Sequence, residues 1–257
     1  MRRSAFFTMA VLFMLVSLVA CGGGNSSPSS PTPAPTPTRV IGLNGNLGFG
    51  DILVGSPKYS PLTISNGGSS MLTVTGLTGP TGYTASWTGG TIAPGASQVT
   101  NIGFAPTAPG VYNGTLTIVA DHTSGTNSAA ITGTAYANLN GGWSGSYSAS
   151  AEGTSSGCNM TWIVSGQTGA GFSGTWQSSG AGCGQAGNLT GTISPSNAIS
   201  DLNISANVAP SGCTWVSGEK MATGVYSGTT LTTQMTQTIS CSGRNITRSI
   251  TTVMRKQ

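Results

Sequence analysis

Apolar and polar residues alternate in short runs along most of this chain, and Gly, Pro, Asn and Ser cut the runs apart. Alternation with period two marks a half-buried strand. In "MLTVTGL" Leu72 and Val74 fall on one face. In "IGFAP" Ile102 and Phe104 do the same, and Pro106 ends the run. "VYNGTLTIVA" puts Tyr112, Leu116 and Ile118 on one face and Thr115 and Thr117 on the other. Asn66-Gly67-Gly68, Pro94-Gly95 and Pro109-Gly110 are turn signals, because these residues tolerate or pre-set turn dihedrals. "AAITGTA" reads as a closing strand. The pattern predicts a β-sandwich over residues 39–137.

Residues 138–257 alternate in longer runs. Trp143 and Tyr147 share a face, as do Cys158, Met160, Trp162 and Val164. Phe172 pairs with Trp176 in the same way. Leu202, Ile204, Ala206 and Val208 alternate with Asp201, Asn203, Ser205 and Asn207, and Leu231, Met235, Ile239 and Cys241 share parity. One phrase recurs: a large residue, a hydroxyl, Gly, a hydroxyl. It stands as "WSGSY" (143–147), "FSGTW" (172–176), "LTGTI" (189–193) and "YSGTT" (226–230). Gly in such a phrase suits a tightly curved sheet, where it relieves crowding on the concave side. About eight strands of this kind would close a small antiparallel barrel and leave no exposed edge. The layout is similar in outline to lipocalin or avidin architecture. The fold class expected for the whole is all-β: an immunoglobulin-like sandwich, then a small disulfide-bonded barrel.

The N-terminal 38 residues break the pattern. Arg2 and Arg3 precede an apolar run, "AFFTMAVLFMLVSLVA", at 5–20. As a helix it would span roughly 24 Å, short of the ~30 Å hydrocarbon core, so it reads as a signal peptide over 1–20. Its end, Leu18-Val19-Ala20-Cys21, resembles the lipobox of bacterial lipoproteins. That resemblance implies cleavage before Cys21 and a thioether-linked diacylglycerol on its sulfur. Residues 21–38 then form a tether, Gly- and Ser-rich first and stiffened by "PTPAPTPT" afterwards.

Composition sharpens this. Charged residues are only 5% of the chain, against about 25% in an average soluble protein. Hydroxyl side chains take the solvent-facing positions, and Thr suits a pleated surface. Half of the formal charge of +4 belongs to Arg2 and Arg3. No basic stripe remains that could displace counterions from phosphates, so no nucleic-acid partner is expected.

Of the five cysteines, four lie in the second segment: Cys158, Cys183, Cys213 and Cys241. In an exported protein this suggests two disulfides, with three pairings open. "GCNMTW" leading to Cys183 is echoed by "GCTW" leading to Cys241, and this repeat favours Cys158–Cys183 and Cys213–Cys241. A zinc site would want Cys-x-x-Cys spacing or histidine, and the segment has neither, so no metal is expected.

The first segment resembles the hydin-type, or ASH, immunoglobulin-like domains. The residues carrying the likeness are "LGFGDILVGS" (47–56), "LTISNGG" (62–68), "LTVTGL" (72–77), "TIAPGAS" (91–97), "IGFAPTAPGVYNGTLTI" (102–118) and "ITGTA" (131–135). The resemblance implies a seven-strand sandwich used for interaction and architecture, without catalytic residues.

Candidate chemistry is sparse. His122 is the single histidine, beside Asp121 in a polar turn, where neighbours in extended chain point opposite ways. With five carboxylates and no evident acid–base pair, no enzyme activity and no cofactor are expected. In "NITRSITTVM" Arg248 shares parity with Ile246 and Ile250, and Gln237 has the inward parity of its own run. A buried charge needs a partner, for which Glu152 or Glu219 would serve. The competing reading is a bulge that shifts register, or an Arg at the rim reaching solvent.

The function expected is that of a lipid-anchored cell-envelope protein, at the outer membrane, periplasmic or surface-exposed. It would act as a non-catalytic interaction, adhesion or structural module. Its partners would be the membrane, through Cys21, and an envelope or extracellular protein or glycan. One alternative is a small-ligand carrier with a barrel cavity at Arg248 and Gln237. Another is a carbohydrate-binding module using Trp143, Trp162, Trp176 and Trp215.

Overall fold

A computed structural model of the chain describes residues 33–151, 154–206, 212–216 and 221–257. Cys21 and the rest of the lipobox lie outside the described residues, as do Glu152, Val208 and Glu219. Residues 37–257 form one compact unit with two separate apolar cores.

Eleven strands build the first β-domain: β1 (Val40–Gly45), β2 (Gly48–Leu53), β3 (Lys58–Asn66), β4 (Leu72–Thr78), β5 (Tyr83–Ala85), β6 (Gly90–Ile92), β7 (Ser97–Phe104), β8 (Gly110–Val111), β9 (Gly114–Ala120), β10 (Ser124–Gly125) and β11 (Ser128–Tyr136). One sheet runs β10-β1-β3-β7-β5 and the other β2-β11-β9-β4-β6, with β8 against β11. Seven of these strands have six residues or more, the number the sandwich plan requires. The other four are pieces of two or three residues. Three of those pieces form sheet edges, where a short strand offers little unpaired backbone to another chain.

The alternation read from the sequence is the alternation of burial. Leu72, Val74, Ile102, Phe104, Leu116 and Ile118 all lie in the core. Tyr112 departs from the expected run: it sits between β8 and β9 rather than in a strand, with its ring packed edge-on to Phe104. The Asn66 turn is also a corner of the core. Asn66 is buried; its Nδ2 donates to Ser70 O (2.8 Å) and Ile92 O (2.9 Å), and its Oδ1 accepts from Gly68 N (3.0 Å).

The second domain contains β12 (Gly141–Ala151), β13 (Thr154–Thr168), β14 (Gly171–Ser179), β15 (Ala186–Ile193), β16 (Ala198–Ala206), β17 (Cys213–Trp215), β18 (Met221–Ser227), β19 (Thr230–Cys241) and β20 (Arg244–Lys256). Eight of them pair antiparallel in the order β12-β13-β14-β15-β16-β18-β19-β20, and β20 returns to β12 to close a barrel. The short β17 pairs with the last residues of β19, beyond the reach of β18.

The lumen explains three of the four repeated glycines. Gly145 and Gly174 lie between large inward residues, and a Cβ at either would strike the backbone of the neighbouring strand. Gly191 sits under the Phe172 ring. The fourth, Gly228, differs: it occupies the β18–β19 turn with φ of 62° and touches nothing. On that strand Gly224 fills the crowded position instead, packed against Thr232 and Thr233.

The peptide between the domains is held by barrel side chains. Gln167 Nε2 donates to Ala137 O (2.8 Å) and its Oε1 accepts from Leu139 N (2.7 Å). Trp143 Nε1 donates to Leu139 O (2.8 Å), and Lys256 Nζ donates to Asn138 O (2.6 Å). Ala137 and Leu139 belong to the barrel core, and with Trp143 they fill this end of the lumen.

Candidate functional site

The other part of the lumen is less completely filled. β19 and β20 pair in unbroken register from Thr230–Arg255 to Cys241–Arg244, which sets Gln237 directly opposite Arg248. No bulge moves Arg248 off the inward parity. Gln237 is buried, and its Oε1 accepts from Arg248 Nε (2.9 Å) and Nη2 (2.6 Å). One layer nearer the end of the strands, Ile239 faces Ile246. The cation is therefore set inside the barrel wall rather than at its last rung.

Around this pair is a cavity lined by Tyr147, Met160, Trp176, Met235 and Ile250, among others. It measures about 410 Å³ counted out to its open mouth. The lining mixes apolar side chains with Gln185, Gln237 and Thr252, and Arg248 itself is half-buried. Burial lowers its pKa from the ordinary arginine value, and the nearby Tyr147 phenol acts in the opposite sense. Arginine stays protonated regardless, so the half-buried side chain keeps its positive charge at the cavity wall.

Parity singles out most of these residues as inward-facing. It misses Gln185, which lies in the β14–β15 loop, where no periodic signal exists. The loop is held by Ser178, whose backbone N donates to Gln185 O (2.7 Å) while its Oγ accepts from Gln185 N (3.1 Å). It is also held covalently: Cys183 is disulfide-bonded to Cys158 on β13. The second disulfide, Cys213–Cys241, joins β17 to β19. Cys158 Sγ lies 3.2 Å from the Tyr147 hydroxyl, so the first disulfide abuts the cavity wall.

The remaining candidates do not assemble. Trp143, Trp162 and Trp176 are 1%, 1% and 6% exposed, so they are core side chains and offer no flat platform for a sugar. The side chain of Trp215 lies outside the described residues. Asp121 is engaged elsewhere than with His122: its Oδ1 accepts from Thr73 N (2.8 Å), and its Oδ2 lies 3.5 Å from Arg39 Nε. His122 Nδ1 lies 3.2 Å from Ala120 O. Among the described residues, no three His, Cys, Asp or Glu side chains gather into a metal-binding group.

Comparison with known proteins addresses the sandwich. The family model for ASH, the "Abnormal spindle-like microcephaly-associated, ASPM-SPD-2-Hydin" domain, matches residues 42–127. Among solved structures, the ASH/PapD-like domain 7 of human CEP192 aligns with 44% of this chain and 96% of its own, at 16% identity and a TM-score of 0.34. A protein of unknown function from Bacteroides ovatus aligns with 86% of this chain and 95% of its own, at 8% identity and a TM-score of 0.30. No curated protein matches the chain. Residues 42–127 thus match the ASH family model, which ends before β11 and does not reach the closed barrel.

Proposed function

We propose that this chain is a lipid-anchored bacterial envelope protein that acts as a non-catalytic interaction module. The observation carrying the reading is the ASH match over the sandwich, because domains of that kind serve interaction rather than catalysis. The lipobox-like Leu18-Val19-Ala20-Cys21 supplies the anchor in this reading. Two or more acyl chains hold a protein stably at a membrane where one does not. The Gly/Ser/Pro stretch up to residue 38 then holds the folded part away from the bilayer. The clamp on residues 137–139 supports a sandwich and barrel that act together, since the junction is hydrogen-bonded to the barrel at several points.

The test is capture from an envelope extract by immobilised residues 39–257, read by mass spectrometry and glycan analysis. The expected result is one protein or glycan retained reproducibly, released by soluble 39–257 in competition, and retained less when sandwich surface residues are changed. Retention of nothing that soluble 39–257 competes away would contradict the reading.

A further inference from the structure

The two disulfides of the barrel are built into different surroundings. Cys213 and Cys241 stand directly opposite each other in the β17–β19 ladder, with Thr214–Ser240 and Trp215–Ile239 paired beyond them. Cys158 is also a strand residue, opposite Tyr147 on β12 and 9% exposed. Its partner Cys183, by contrast, is half-buried in the loop 180–185 between β14 and β15, flanked by the exposed Gly182 and Gly184. Gly180, Gly182 and Gly184 take φ of 125°, 73° and 113°. These are conformations open to glycine, the residue that loses most freedom when it is ordered. The loop belongs to no ladder, and the disulfide is its covalent tie to β13.

We infer that Cys158–Cys183 is a redox latch: a dithiol reductant opens it, and the loop then leaves the cavity wall that Gln185 helps to form. Two features set the direction of the exchange. Cys183 offers the more accessible sulfur, so a thiolate of the reductant attacks there and forms a mixed disulfide. The Cys158 sulfur leaves with the electron pair of the broken S–S bond. A disulfide sulfur carries no hydrogen, so the Tyr147 O–H, 3.2 Å from Cys158 Sγ, is the donor of that pair. It stabilises the departing thiolate, and a leaving thiol of lower pKa departs faster. The second thiol of the reductant then attacks the reductant's sulfur in the mixed disulfide, and Cys183 leaves in turn. Both cysteines end as thiols with the two protons that the reductant gives up, and the reductant ends as a disulfide. The base of the loop is still joined by the Ser178–Gln185 hydrogen bonds, while residues 180–184 lose their covalent attachment to β13. The latch lies in the barrel, so this inference and the interaction role of the sandwich stand or fall separately.

The experiment takes the full chain with both disulfides intact. In one arm glutathione is added, the reaction is quenched with acid, and peptide mass spectrometry locates the mixed disulfide. In the other, dithiothreitol is added for increasing times and iodoacetamide then labels the free thiols, which gives a reduction rate for each pair. Hydrogen exchange is read where the first pair alone is reduced. The expected result is a glutathione adduct on Cys183, and reduction of Cys158–Cys183 about tenfold faster than that of Cys213–Cys241, through access and leaving group together. Exchange should rise at residues 180–185 and stay unchanged in the paired amides of β14 and β15. Tyr147→Phe keeps the ring and should slow reduction of Cys158–Cys183 about threefold, the scale of one unit in the leaving thiol's pKa, with Cys213–Cys241 at its parent rate. If that variant does not fold, the adduct position and the two rates on the unaltered protein still decide. An adduct on Cys158 would overturn the direction of attack, and equal rates for the two pairs would overturn the selectivity. Unchanged exchange at 180–185 after reduction would overturn the latch.

Discussion

Gln167 grips the backbone of the interdomain peptide on both sides of Asn138, accepting from Leu139 N and donating to Ala137 O. The β13 strand thereby fixes the segment that leaves the sandwich. Leu139 is then free to act as core: it is 1% exposed, under the Trp143 indole that donates to its carbonyl. Gln167→Ala should cost about 1–2 kcal/mol, mostly the two junction hydrogen bonds, with the longer Nε2–Gly169 O bond (3.3 Å) lost as well. It should also raise exchange at the Leu139 amide well above that of the β12 and β13 amides. Unchanged protection of Leu139 would mean that Trp143 and Lys256 hold the junction without Gln167.

Asn66 joins a turn to the opposite sheet. Its amide bonds reach Ser70 O and Ile92 O, and the latter lies in β6 of the other sheet. Asn66→Ala leaves the buried Ile92 carbonyl and the half-buried Ser70 carbonyl without their donor and should cost about 2–4 kcal/mol in urea unfolding. Asn66→Asp should also destabilise, since it keeps the acceptor and removes the donor. A variant within about 0.5 kcal/mol of the parent would remove Asn66 from the account of the sandwich.

The disulfides close segments with sequence separations of 25 and 28 residues. Loop entropy puts the contribution of each at about 2–4 kcal/mol. Cys158→Ala with Cys183→Ala should lower the unfolding free energy by that amount and loosen the Gln185 loop. The second pair, removed in the same way, should leave that loop unaffected. Circular dichroism with and without reductant checks the total, and loss of less than about 1 kcal/mol on full reduction would contradict it.

The Tyr83 phenol gives a pH dependence. Burial raises its pKa to about 12 from 10.0, and its hydroxyl donates to Tyr112 O (2.8 Å). In the unfolded chain the phenol ionises first. The stabilising contribution is therefore complete below about pH 10 and is lost as pH rises toward about 12. Tyr83→Phe should be less stable at neutral pH, through the lost hydrogen bond, and should lose stability less steeply across that alkaline window. Parallel pH profiles of the two proteins would contradict the assignment.

Period-two parity is a local property, and it carried far in this chain. It placed Trp143, Trp162, Val164, Phe172 and Leu202 inside the barrel, because curvature does not alter which face a residue takes. It also puts Arg248 and Gln237 on the inward side, where the strand register sets them opposite each other. What parity could not supply is registration between strands and anything in loops. Gln185 enters the cavity from a loop with no repeat. The junction clamp depends on Gln167, a polar residue at the end of β13 whose partners are backbone atoms 28 and 30 positions away. The repeated glycine phrase misled in one place: Gly228 follows the phrase yet serves a turn, and Gly224 occupies the crowded site.

The proposed anchor rests on one sulfur, that of Cys21. Its direct test is mass spectrometry of the N-terminal peptide from the membrane fraction of a bacterium expressing the full chain, alongside Cys21→Ala. The account predicts a mature peptide that begins at Cys21 and carries diacylglycerol mass, and a Cys21→Ala protein that carries none. A peptide beginning elsewhere without lipid, or a Cys21→Ala protein that stays in the membrane and keeps the lipid mass, would contradict it.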